Sequence, residues 1–114
     1  MLVIRNEQLE ALGDYMRSLF VESMIEHVAA DFPVESEKMG DGVRGFIERG
    51  ISKAAGFGIQ TESDVSRFID LMLKFGPDFE ALENMAWAVA ILQDNGISGS
   101  AKIDLIYHQI PAQQ

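Results

Sequence analysis

The feature that most constrains this chain is a hydrophobic spacing of three and four residues that is broken only by glycine, proline and capping residues. Leu9, Leu12, Met16, Leu19, Phe20, Met24, Ile25 and Val28 recur at those steps, the signature of an amphipathic helix. Asn6 is a candidate N-cap, and Glu7 and Glu10 add the negative charge that a helix N-terminus favours. Pro33 cannot continue a helix, so the segment is expected to span residues 7–31, about 37 Å at 1.5 Å per residue. A domain of this size has a radius of gyration of about 13 Å. Such a helix would cross the whole molecule.

Four further segments follow the same rule. A second begins at Ser36 and carries Met39, Val43, Phe46, Ile47, Ile51 and Ala54. Gly40, Gly42, Gly45 and Gly50 weaken it, so either its first turn frays or the glycines allow close helix packing. Thr61-Glu62-Ser63-Asp64 resembles a capping box and opens a third, with Val65, Phe68, Ile69, Met72, Leu73 and Phe75, stopped by Gly76-Pro77. A fourth holds Leu82, Met85, Trp87, Val89, Ile91 and Leu92 and ends at Asn95-Gly96. Ser98 or Ser100 caps a fifth through Ile103, Ile106, Tyr107 and Ile110, with Pro111 expected to end it. No segment alternates with period two for more than a few residues. The expectation is an all-α, compact single-domain bundle of about five helices over residues 1–114.

Composition narrows the function classes. Eighteen acidic residues against nine basic ones give a net charge of −9, which disfavours a phosphate backbone as partner. With no cysteine, disulfides, thiolate zinc sites and a cysteine nucleophile are excluded. The N-terminus does not read as a signal peptide, and the longest apolar run, Met85 to Leu92, is too short to span a bilayer. The expected location is therefore cytoplasmic, with export by a leaderless secretion machine left open, and neither nucleic acid nor membrane is expected as partner.

Motifs for catalysis are sparse. There is no phosphate loop, nucleophile elbow or calcium loop, and no cofactor or metal is expected. His27 and Asp31, and likewise Asp104 and His108, sit four apart and share a helix face. Each pair could orient an imidazole or supply two metal ligands, or could simply be a surface pair near a helix end. Phe75, Phe79, Trp87 and Tyr107 could line a pocket, although aromatic residues at helical spacing are the usual material of a core. Asp78, Glu80 and Glu83 form an acidic cluster after the Gly76-Pro77 break, suited to a basic partner or to plain solvation. Phe79 lies in the linker itself, as core plug or as exposed anchor. Asp78, Phe79, Glu80, Glu83 and Trp87 are thus the candidate partner-binding residues.

Charge is unevenly distributed. Residues 1–33 carry six acids and two bases, and residues 76–114 five acids and one base, whereas residues 34–58 carry four of each. If both acidic segments share a side, that side would steer a basic protein.

The order of these features resembles a known group. The helix from Tyr15 closes with Phe32-Pro33. Ile47-Glu48-Arg49-Gly50-Ile51, Ala54-Ala55 and Phe57-Gly58-Ile59 follow, leading to Glu62-Ser63-Asp64-Val65. Then come Phe68-Ile69-Asp70-Leu71-Met72, Phe75-Gly76-Pro77-Asp78-Phe79, Trp87-Ala88 with Ile91-Leu92, Ser98-Gly99, Lys102-Ile103-Asp104 and Tyr107. Across nearly the whole chain this is similar to small bacterial proteins encoded beside type VI secretion VgrG spike and effector genes. The resemblance implies a non-enzymatic adaptor or chaperone whose partner is a secreted effector, a toxin or a VgrG-type spike. An immunity protein that covers a toxin's cationic site and a small effector enzyme are the alternatives. It implies no catalytic residue, and a homodimer is equally compatible with five amphipathic helices.

Overall fold

The computed structural model describes residues 13–113, with side chains described to residue 110, and every regular element in it is helical. There are six α-helices among the described residues: α1 (Gly13–Asp31), α2 (Pro33–Met39), α3 (Val43–Gly56), α4 (Glu62–Phe75), α5 (Ala86–Leu92) and α6 (Gly99–Gln113). Three single-turn 3₁₀ segments, Gly40–Gly42, Phe79–Ala81 and Glu83–Met85, fill the connections. The principal extents are 34 × 32 × 20 Å and the radius of gyration 13.7 Å. The short dimension is about two helix diameters, so the helices lie two deep.

The all-α expectation holds, with one more helix than expected. α1 ends at Asp31, as Pro33 required, and its 19 described residues run about 28 Å. Residues 7–12 and the Asn6 cap lie outside the described residues. The extra helix is α2, because Pro33 both stops α1 and starts α2. It occupies the first helical turn of α2, where a missing N–H costs nothing and the fixed φ is already helical. The segment expected from Ser36 onward is therefore split. Gly40 ends α2 at φ 53°, a backbone conformation that a side chain would strain, and a 3₁₀ turn leads into α3.

α3 and α4 are the central pair. α3 also packs on α1, α4 on α6, and α6 on α5. α3 presents Val43, Phe46, Ile47, Ile51 and Ala54 as one buried stripe, with Gly50 in the middle. A Cβ at Gly50 would lie 2.6 Å from Ile69 Cγ1 and 3.2 Å from Met72 Sδ, so this glycine sets how closely the two helices cross. α4 sits deepest and buries Val65, Phe68, Ile69, Leu71, Met72 and Leu73. Phe20, Val21, Met24 and Val28 of α1, and Ile103, Ile106 and Ile110 of α6, close the core from outside. Leu19, expected in the buried stripe of α1, is 43% exposed instead, beside Tyr15 at 75%.

The termini of the elements explain most of the remaining boundaries. Thr61 caps α4: its hydroxyl oxygen accepts from the Asp64 backbone N–H at 3.4 Å and donates to Asp64 Oδ2 at 2.9 Å. Ser98, rather than Ser100, caps α6, accepting from the Ala101 N–H at 3.1 Å. Ser100 donates its hydroxyl to Asp64 Oδ2 and so ties α6 to the start of α4. α6 also runs through Pro111 to Gln113. A proline this close to a helix end removes one backbone bond from a turn that is already losing its partners.

Three crossings hold these elements in place. Gly58, at φ 79°, turns the chain out of α3, and its carbonyl meets Gly99 at the start of α6. Lys102 is buried, and its Nζ donates to the Phe57 carbonyl at 2.7 Å, so α6 supplies a cation to the C-terminal end of α3. Tyr107 donates its hydroxyl to the Arg67 carbonyl at 2.7 Å and joins α6 to α4 a second time.

Candidate functional site

The acidic connection after α4 is built on one glycine and one buried ring. Gly76, at φ 108°, ends α4 while its N–H still reaches the Met72 carbonyl at 2.9 Å. The following 3₁₀ turn buries Phe79 completely, with its ring centroid 5.6 Å from that of Phe68 and tilted by 56°. Phe79 is therefore a core plug, and the alternative of an exposed anchor falls. The site must rest on its neighbours.

Burial of Phe79 fixes what flanks it. Lys53 of α3 receives the connection: its Nζ donates to the Pro77 carbonyl at 2.6 Å, to Asp78 Oδ1 at 2.8 Å and to Glu80 Oε1. These contacts raise the Lys53 ammonium above its ordinary pKa of 10.5, outweighing the opposing effect of burial, and they hold Asp78 below its usual carboxylate value. Two of the three clustered acids are thus engaged by an internal cation. Glu83 alone stays exposed with no ion pair among the described residues.

Beyond the turn the chain leaves an apolar edge uncovered. Leu82 is extended (φ −77°, ψ 135°) between two 3₁₀ turns and is 43% exposed. Glu83 and Asn84 are exposed after it, Met85 dips into the core, and Trp87 is half-buried on α5. The Trp87 indole N–H and the second oxygen of Glu80 are buried with no hydrogen-bond partner among the described residues. An orphaned buried donor costs about 1–3 kcal/mol. Leu82, Glu83 and Trp87 therefore form the candidate contact strip.

Both histidine pairs resolve differently from their spacing. His27 does meet Asp31, Nδ1 to Oδ2 at 3.1 Å, but its Nε2 lies 2.9 Å from Oδ1 of Asp70 on α4. A general base needs a nitrogen facing substrate, and here both ring nitrogens face carboxylates. The imidazole works as a strut between α1 and α4. Asp104 turns away from His108 to Arg67, Oδ1 to Nη1 at 2.8 Å, and His108 is exposed. Arg67 also lies 3.6 Å from Asp64 and stacks its guanidinium 5.0 Å from the centroid of Tyr107. Tyr107 is thereby wall and strut rather than pocket lining, and burial together with nearby Asp70 pushes its hydroxyl pKa up, keeping it a donor. Among the described residues no group of three histidine or carboxylate side chains is arranged so that it could hold a metal ion.

Asp70 allows a test by pH. Burial raises its carboxyl above the ordinary 3.8, against the lowering effects of His27 and of Lys74, while Asp31 adds to the rise. The folded state thus holds this proton more tightly than the unfolded chain. That stabilisation is complete below 3.8 and is lost as pH rises through the raised folded value. Urea unfolding of wild type and Asp70→Asn at stepped pH should therefore show wild type losing ground to the variant as pH climbs, then levelling off. The opposite trend would mean that the His27 contact dominates burial.

Comparisons of the chain with protein-family models, with curated proteins and with solved structures find no match.

Proposed function

We propose that this protein is a non-enzymatic protein-binding module, an adaptor or chaperone for a type VI secretion effector or spike. The reading rests on one observation above the others. Leu82 is held out between two short turns, followed along the chain by the exposed Glu83 and, on α5, by the half-buried Trp87. An apolar anchor with an acidic rim and an aromatic neighbour is the composition of a protein contact. The internal engagement of His27, Asp70 and Asp104 supports the non-enzymatic side, since each is used in holding helices together, and Asp31 is taken up by His27 within α1. The sequence resemblance supplies the secretion setting.

The test is affinity purification of a tagged copy from its own host, beside Leu82→Asp and Glu83→Lys variants whose helicity is checked by circular dichroism. Stoichiometric recovery of an effector or spike with wild type, reduced at least tenfold in the folded variants, is the expected result. If the recovered partner is a toxin whose growth arrest the protein relieves, the role is that of an immunity protein. Recovery of the folded protein alone overturns the reading.

A further inference from the structure

Apart from the contact strip, the molecule holds a cavity of about 280 Å³ where α1, α3 and the start of α4 meet. Its apolar wall is made by Ile51 of α3, Ile59 of the connection and Val65 of α4, all buried. Its polar groups are Ser52 and Gln60, and Arg17 of α1. Among the described residues lining it, Arg17 is the only charged one. Arg17 makes no ion pair or hydrogen bond with any described residue, while Arg44, Lys53 and Arg67 each bond a carboxylate and Lys102 a carbonyl. In a chain with twice as many acids as bases, this half-buried arginine has no carboxylate partner among the described residues.

We propose that this cavity binds a carboxylate carried on a short apolar stem. A guanidinium presents a planar fork that matches a carboxylate in two parallel hydrogen bonds. The Ser52 hydroxyl and the Gln60 amide add donors at the same rim, and the isoleucine and valine wall takes the stem. A single cation in a chain of net charge −9 favours a monoanion over a phosphate dianion, which would meet more repulsion and have one arginine to answer it. Size sets the stem. An apolar cavity of about 150 Å³ holds a benzene ring, so 280 Å³ takes a chain of roughly six to eight carbons. This is just below the usual range of small-molecule sites. The same chemistry is offered by a free short-chain acid and by the C-terminal residue of an apolar peptide. The proposal does not depend on the protein-binding reading, since the residues are separate.

The experiment is a titration of the full chain, isotopically labelled, with sodium hexanoate, with N-acetyl-leucine and with hexanol, followed by amide chemical shifts. Hexanoate should move the amides of Ser52, Ile59, Gln60 and Val65 in a saturable way, with Kd on the order of 1 mM for so small a ligand. Hexanol, with the same stem and no charge, should bind at least tenfold more weakly. Arg17→Gln should weaken hexanoate binding about tenfold, the loss expected for a hydrogen-bonded charge. Ser52→Asp, which puts a like charge at the rim of an exposed helix position, should abolish it without disturbing the core. Tighter binding of N-acetyl-leucine assigns the site to a peptide C-terminus, and tighter binding of hexanoate to a free acid. The proposal is overturned by equal affinity for hexanol and hexanoate, by unchanged binding in folded Arg17→Gln, or by no saturable shift up to about 10 mM, tenfold above the expected Kd.

Discussion

Replacing Phe79 by alanine should lower the free energy of unfolding by about 3–5 kcal/mol, the usual cost of deleting a fully buried aromatic ring. The ring is inaccessible to solvent and packs against Phe68, which in turn meets Phe57 at 6.1 Å between centroids. Three aromatic rings from α4 and from the connections on both sides of it thus form one column, and alanine would empty its end. Chemical denaturation read by tryptophan fluorescence and by circular dichroism would give the loss. Phe79→Leu keeps most of the volume and should recover more than half of it. A loss below about 1 kcal/mol for Phe79→Ala, the level of an ordinary surface change, would contradict this placement and return the residue to the surface.

The second large effect is expected from a side chain one carbon in size. A Cβ at Gly99 would lie 2.3 Å from the Gly58 carbonyl oxygen, and 3.0 Å from both the Gly58 carbonyl carbon and the Ile59 Cα. These are backbone atoms, so no rotamer change can make room. Gly99→Ala should therefore push α6 away from the α3–α4 connection and cost about 3 kcal/mol, the upper end of what overpacking usually causes. Gly56→Ala is the internal control, because nothing lies within 4 Å of a Cβ there. Gly56 is the last residue of α3 and its φ is not positive, so alanine there should be neutral or slightly stabilising. Parallel thermal unfolding of the two variants checks both, and equal melting temperatures would rule out the close approach.

How far the sequence reveals this fold depends on how local each signal is. α4 is legible from end to end, because Thr61, its apolar face and Gly76 all act within one stretch of chain. The C-terminal ends of α1 and α3, set by Pro33 and by Gly56 and Gly58, are legible for the same reason. α2 is missed because Pro33 has two meanings, and only the chain on both sides decides that it starts a helix as well as stopping one. The fourth segment was expected to be one helix. Its start instead gives an extended, exposed Leu82 and the 3₁₀ turn Glu83–Met85, which carries Met85 into the core, and only the seven-residue α5 is α-helical.

The candidate site is less legible still, since its decisive partners are distant in sequence. Nothing near residue 78 announces that Lys53 will hold Asp78 and Glu80, 25 and 27 residues away. The spacing of His27 and Asp31 is local and visible, but Asp70, which turns the histidine into a strut, is 43 residues on. Asp104 has two candidate partners, and it is the one on another helix, Arg67, that receives it. Arg17 carried no signal at all in the sequence. Its interest comes from the cavity beside it and from the lack of a carboxylate partner among the described residues.

The Lys102 ammonium under the Phe57 carbonyl has a consequence for how this chain can be divided. The bond links positions 45 residues apart, and the loop it closes contains all of α4 and α5. Gly99 against Gly58, and Ser100 against Asp64, stitch the same seam within a few residues of it. A fragment cut between α5 and α6 would keep most of its helices in sequence, yet would expose the carbonyl end of α3, the Asp64 carboxylate and the apolar face that Ile103 and Ile106 cover. Among the described residues the seam therefore ties α6 to the α3–α4 connection rather than leaving two helical hairpins side by side. A fusion inserted between α5 and α6 has to leave both ends of that seam within reach of each other.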